Sequence, residues 1–279
     1  AYINTSSWNV GPWAARYSGA LGNALKVSVC PSSAAYTSAL TGTFTVAAGS
    51  TTVTGAGSAA NTQMQVGDFI VLSGRTSKVV AIANATSFTL ESAHLTGATA
   101  VSGTRRWEFF GEFDSAPGTS TAASAAGSTG DELHVIVQDR TGDITGTPNT
   151  VLEKFAYLSK GSNAKADTGG SNYYKDIVND RSSYVWWAAH DNAGSNWGNT
   201  LSSTTYTSVV IPKAYSLAGG SDGNALTDGD RSTSYVLLAN KQEIPASIIV
   251  TGQANATVAN RIIADVAELR KDVIVCVSP

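Results

Sequence analysis

Leu25, Val27 and Val29 alternate with polar or small residues over residues 23–29, the period of two that marks a half-buried strand. Between residues 38 and 103, short runs rich in Thr, Val, Ile and Phe recur at 43–46, 51–54, 68–72, 78–82 and 87–90, separated by Gly, Ser and Asn. Short strands at that spacing, with no helical period between them, predict a small all-β barrel or sandwich. We read residues 36–105 as this module, inserted into a discontinuous host domain of residues 1–35 and 106–279. In the host, residues 132–137 predict a strand, Asp139-Arg140-Thr141-Gly142 a reversal, and residues 151–155 the second arm of a hairpin. Residues 172–180 predict a short helix and residues 183–187 an aromatic, β-branched strand. The Gly- and Asn-rich stretch 190–208 reads as an exposed loop, and the opening from Trp8 to Trp13 is aromatic and broken by Gly and Pro.

The C-terminal third has the clearest pattern. An apolar strand at 247–250 precedes Val258, Ile262, Val266 and Leu269, spaced by four, four and three, which places one apolar stripe on a helix. Residues 273–277 then predict a second buried strand. Strand, amphipathic helix and strand in so short a span form a βαβ unit, whose strands run parallel because the crossover helix packs back on the sheet. The expected fold class is therefore mixed α/β (α+β): a host with a mixed sheet and a C-terminal βαβ unit, plus the inserted β module.

Composition narrows the function. Lys and Arg number 18 against 21 Asp and Glu, a net charge of -3, so no basic excess is present to condense on nucleic acid. No apolar run reaches the length of about 18 residues that a membrane span requires. Charged residues make up 14% of the chain, below the roughly 25% of an average soluble domain. That suits either a turn-rich β protein or a subunit whose surface is consumed by contacts with its own copies, where charge is costly to desolvate. Cys30 and Cys276 lie in or at the end of apolar runs and read as buried thiols of a reducing compartment, with their pairing left open. The chain has no initiator Met and stops at Ser278-Pro279 after core-type residues, so it is expected to be a piece of something longer.

No phosphate loop, dinucleotide fingerprint, nucleophile elbow or zinc-type spacing occurs. His94, His134 and His190 fall in the insert, inside a strand and at a strand end, and none is expected to be catalytic. Serine is so abundant that a Ser-His-Asp set is uninformative here. Asp222, Asn224, Asp228 and Asp230 carry hard-cation donors but lack the EF-hand register, and read better as a solvated turn. No catalytic residue, metal or cofactor is predicted. Trp186, Trp187 and Trp197 with Tyr173 and Tyr174 have the chemistry of a sugar-stacking face, although aromatic residues alternating in a strand are more often core. Three acceptor sequons, Asn4-Thr5-Ser6, Asn84-Ala85-Thr86 and Asn255-Ala256-Thr257, are unremarkable in so Ser/Thr-rich a chain.

Several segments occur in an order that resembles a known family. They begin with Ala15-Arg16-Tyr17-Ser18-Gly19-Ala20-Leu21-Gly22-Asn23-Ala24-Leu25-Lys26-Val27 and continue with Ala116-Pro117-Gly118-Thr119-Ser120 and Glu132-Leu133-His134-Val135. Asp139 with Gly142 and Ile144-Thr145-Gly146, then Val151-Leu152-Glu153-Lys154, follow. After them come Ser159-Lys160 with Ala164-Lys165, Gly170-Ser171-Asn172-Tyr173-Tyr174, Leu217-Ala218-Gly219-Gly220 and Ala267-Glu268-Leu269-Arg270-Lys271-Asp272. The string resembles the tail sheath proteins of contractile-tailed bacteriophages.

The resemblance implies a non-enzymatic virion subunit, assembled in the bacterial cytoplasm, that stacks as six-fold rings and contracts to drive genome delivery. Its implied partners are copies of itself, the tail tube protein, the baseplate and the tail terminator. The family's N- and C-terminal arms add strands to neighbouring subunits. This chain departs from the family by lacking them, so by itself it is expected to be monomeric. The insert matches the family least and is expected on the outside of the sheath. A phage-derived injection machine is a variant of the same reading. Two rivals come from other classes: a carbohydrate-binding adhesin using residues 173–197, and a serine hydrolase without a motif.

Overall fold

The computed structural model describes residues 11–191 and 193–278; Trp8 and the sequon at Asn4 lie outside the described residues. The content is 21% helix and 35% strand, the mixed class the pattern predicts. The chain divides into two compact units, Ala1–Ser221 and Asp222–Pro279, a boundary that the hydrophobic pattern does not announce.

The first unit opens with β1 (Trp13–Ala15), β2 (Leu25–Cys30) and the single turn α1 (Ser33–Tyr36). Ser32 caps α1 by accepting from the Ala35 N–H. The insert then runs through β3 (Thr37–Ala39), β4 (Thr43–Val46), β5 (Ser50–Ala56), the turn α2 (Ala60–Gln63), β6 (Phe69–Leu72), β7 (Arg75–Asn84), β8 (Ser87–His94), β9 (Ala98–Val101) and β10 (Gly103–Arg106). These strands pair antiparallel in the order β3-β10-β6-β7-β8-β5-β4-β9. Only Ser102 separates β9, at one end of this order, from β10, the second strand from the other end, so the ladder curls back on itself as a barrel-like module. Phe44, Val53, Ile70, Leu72, Val79, Phe88 and Leu90 fill it. Gly103 lies flat on Phe44, where a Cβ would come within 2.9 Å of the ring.

The barrel is bolted to the rest of its unit. Arg105, fully buried, donates from Nη1 to the Ala35 carbonyl (2.6 Å) and from Nη2 to the carbonyls of Ala34 (2.5 Å) and Val210 (3.2 Å). Gln65 Nε2 donates to the Pro212 carbonyl (2.6 Å), and Glu108 sits between Lys26 (2.8 Å) and Lys78 (3.8 Å).

The remaining elements of the unit are α3 (Thr121–Ala125), β11 (Glu132–Asp139), β12 (Thr150–Ser159), α4 (Tyr174–Arg181), β13 (Val185–Trp187) and β14 (Lys213–Ser216). β11 and β12 form the expected hairpin. Its turn is held by Asp139, whose carboxylate accepts from the N–H groups of Gly142, Ile144 and Thr145 and from the Thr145 hydroxyl. Burial works against ionisation there, but those donors win and hold the Asp139 pKa below its ordinary value. The second sheet has the order β12-β11-β2-β14, while β13 pairs with β1.

Two expectations for this unit need correction. β2 is not half-buried: it is central, with Val27 and Val29 on one core and Ser28 and Cys30 buried on the other side. The cause is the segment after the barrel, which lays Trp107, Phe109 and Phe113 over that second face, with Trp107 Nε1 donating to Ser28 Oγ at 3.0 Å. Nor is 190–208 simply an exposed loop, because Trp197, Leu201 and Tyr206 anchor it in the main core.

The second unit comprises α5 (Asp228–Val236), β15 (Ile248–Gln253), α6 (Ala256–Ile262), a π-helical turn over Ile263–Ala267, α7 (Glu268–Arg270) and β16 (Ile274–Ser278). β15 and β16 are parallel, as a βαβ unit requires. Val258, Ile262 and Val266 are buried as expected, but Leu269 is 69% exposed and Arg270 takes the next inward position. The π turn has more residues per turn than an α-helix, so the inward spacing stays at four instead of falling back to three.

Candidate assembly surfaces

Among the described residues, the β14 edge and the two-stranded sheet of the second unit stand open. β14 pairs with β2 alone among the described residues. The Leu217 N–H bonds to the Leu25 carbonyl, so in an antiparallel ladder the backbone groups of Ala214 and Ser216 turn outward. They face a groove of about 830 Å³ whose other wall is β1 and the residues after it, and whose lining is dominated by Gly, Ala and Ser. Little side chain stands between an incoming backbone and these edges.

In the second unit, Ile249 and Thr251 turn inward, while Ile248 (62% exposed), Val250 (72%) and Ile274 (66%) point the other way. Parallel sheets normally have both faces covered, and a two-stranded one leaves both outer edges unpaired. The strands expected to be buried are thus covered on one face only. Cys276 is exposed on β16, against the expectation of a buried thiol, whereas Cys30 is fully buried; both are free. Burial pushes the Cys30 thiol pKa up to about 12.

Arg270 consolidates the covered side. It donates from Nη1 to the carbonyls of Leu238 (2.9 Å) and Ile244 (3.0 Å), from Nη2 to that of Ala246 (3.2 Å), and pairs with Asp272 through Nε (3.0 Å). Residues 238–246 have no regular ladder, and the fork of one guanidinium closes them. The run Ala267–Asp272 flagged Arg270 in the sequence, but nothing in the sequence marked it as buried.

The candidate chemical groups are engaged in structure. His134 is buried under Phe113, and burial lowers its pKa despite the Ser115 hydrogen bond. His190 holds the Tyr174 hydroxyl at 2.6 Å through Nδ1 and lies 3.3 Å from the Tyr173 hydroxyl through Nε2; burial, then nearby Lys175, lower its pKa. His94 is buried in the barrel, 3.4 Å from the Leu72 carbonyl. Asp230 closes a capping box with Thr227, and Asp228 accepts from Asn255. Asp222 and Asn224 are exposed. Among the described residues no group of three or more His, Cys, Asp or Glu side chains is placed to hold a metal.

Tyr173, Tyr174 and Trp197 are buried in the main core. The half-buried Trp186 and Trp187 are covered by the Arg16 guanidinium (4.0 Å) and the Lys175 ammonium (4.8 Å). Asn84 and Asn255 bond locally, the first to Thr86 and the second as the cap of α6.

Lys160, like Arg105, was not marked as buried by anything in the sequence. It is fully buried and donates to the carbonyls of Pro31 (2.7 Å), Gly130 (2.7 Å) and Glu132 (3.0 Å). Burial pulls its pKa down to about 8, while Asp131 opposes that fall. Three acceptors call for three protons, so as an ammonium it ties the end of β2 to the segment that enters β11.

No family profile, curated protein or solved structure matches the chain. No helix among the described residues is long and apolar enough to cross a membrane.

Proposed function

We propose that this chain is a structural subunit of a contractile phage tail sheath, working mechanically rather than catalytically. The observation that carries the reading is the β15–β16 sheet, a parallel pair with an uncovered aliphatic face; among the described residues the outer edge of β14 is unpaired as well. Such surfaces are completed by further protein, and a low surface charge lets many copies meet without desolvating ions. The ordered motifs from Ala15 to Asp272 supply the family. Contraction is then a change between two packings of subunits, with the energy held at their interfaces. Its partners are copies of the chain, the tail tube, the baseplate and the terminator, and its setting is the virion.

Electron microscopy of the chain, alone and within the full product of its gene, tests this. Hollow tubes of six-fold helical symmetry from the full product are expected. A full product that stays dispersed at every salt concentration overturns the reading.

A further inference from the structure

The pairing of β11 with β12 shifts register at two places, between Val137 and Gln138 and at His134. Leu133 faces Leu158 and Val135 faces Phe155, so His134 alone opposes Ala156 and Tyr157 in a β-bulge. Tyr157 has φ +53°, a left-handed conformation that a bulky side chain adopts only under constraint. Its backbone has left the ladder, and side chains satisfy it. The Tyr157 N–H donates to His134 Nδ1 at 3.0 Å, and Asn172 Nδ2 donates to the Tyr157 carbonyl at 3.0 Å.

The other imidazole nitrogen, Nε2, is 3.0 Å from the Ser115 carbonyl. A carbonyl only accepts and an N–H only donates, so the tautomer is fixed: the proton is on Nε2 and the lone pair on Nδ1. A second proton has one place to go, Nδ1, where it meets the Tyr157 N–H donor to donor. The ring is fully buried, stacked on Phe113 at 4.2 Å with its edge partners Tyr157 at 4.6 Å and Tyr36 of α1 at 6.3 Å. Cys30 of β2 is its cross-strand neighbour, and its thiol stays neutral because burial raises its pKa to about 12. Among the described residues no carboxylate contacts the ring; the adjacent Asp114 is exposed and acts on Tyr36.

We propose that His134 is an acid-released latch: protonation at Nδ1 expels the Tyr157 N–H and opens the bulge between β11 and β12, while the Nε2–H keeps its bond to the Ser115 carbonyl. The sign agrees with the lowered pKa. A histidine that prefers to be neutral when folded contributes stability that is complete above the unfolded value of 6.5 and is lost as pH falls toward its folded value.

The test is local, because other buried groups change global stability over the same range. Amide hydrogen exchange gives the protection factor of the Tyr157 N–H, and nitrogen-detected NMR gives the state of the His134 ring, both from pH 7 downward. Between 6.5 and the ring's lower folded midpoint, protection at Tyr157 falls by up to about tenfold per pH unit. In His134→Asn the amide oxygen replaces Nδ1 as acceptor without titrating, and protection stays flat. The wild-type measurement stands alone if that variant does not fold. A ring that titrates without loss of protection at Tyr157 overturns the proposal, as does one that stays neutral until the whole chain unfolds.

Discussion

The four-stranded sheet of the first unit contains an alternating strand, β2, and the two-stranded sheet of the second is made of continuous apolar runs, yet it is the first that is covered on both faces at its centre. In the first, Trp107, Phe109 and Phe113 arrive from beyond the barrel and cover the face that alternation assigns to solvent, burying Ser28, His134 and Gln138. In the second, the alternate residues Ile248, Val250 and Ile274 remain open. Alternation therefore says which residues share a face, and only a distant segment decides whether that face is inside.

Removing the cover is the most severe test of this contrast. Trp107→Ala is expected to destabilise the first unit by about 3–5 kcal/mol in urea denaturation, because its ring spans the second face and leaves Ser28 without its donor. A loss below 1 kcal/mol would mean that the sheet does not need the aromatic strap.

A pH ramp acts on the first unit next. Burial raises the Asp68 pKa from 3.8 to about 6, with Arg105 opposing, so its folded form holds the proton longer. The stability it contributes is complete below pH 3.8 and is lost as pH rises to about 6, a swing of about 3 kcal/mol. Asp68→Asn should remove that component of the slope, and an unchanged slope would contradict it. Arg270→Met should cost the second unit about 2–3 kcal/mol through the carbonyls it strands. Protection of amides near residues 238–246 should fall while β11 is unaffected.

The mildest change is Val250→Lys on the open face. It should shift stability by no more than about 0.5 kcal/mol. Sedimentation should nevertheless show that it prevents tube formation by the full gene product. A large loss of stability would mean that Val250 is covered within its own unit.

The local elements were legible because their signals are local. The barrel strands, the β11–β12 hairpin, α4 and the βαβ unit all follow from period and turn chemistry. What stayed hidden depends on partners far away in sequence. Lys160 looks like an ordinary surface lysine until Pro31 and Gly130 are placed around it. Arg270 became inward-facing because of a π turn that no spacing rule foresees, and Leu269 was displaced with it. The loop at 190–208 is polar in composition, yet its three large apolar residues set its packing. For the candidate surfaces, the sequence showed which strands are apolar but not which sides of them are left uncovered.

The barrel's entrance and exit lie side by side, since Thr37 at the start of β3 is paired with Arg106 at the end of β10. Paired strand residues stand only about 5 Å apart, so the host's chain path is almost uninterrupted by the excursion. The module can therefore be exchanged as one unit without redirecting the rest of the chain. The condition is that each replacement brings an arginine where Arg105 stands, because the carbonyls of Ala34, Ala35 and Val210 belong to the recipient and would be orphaned without it.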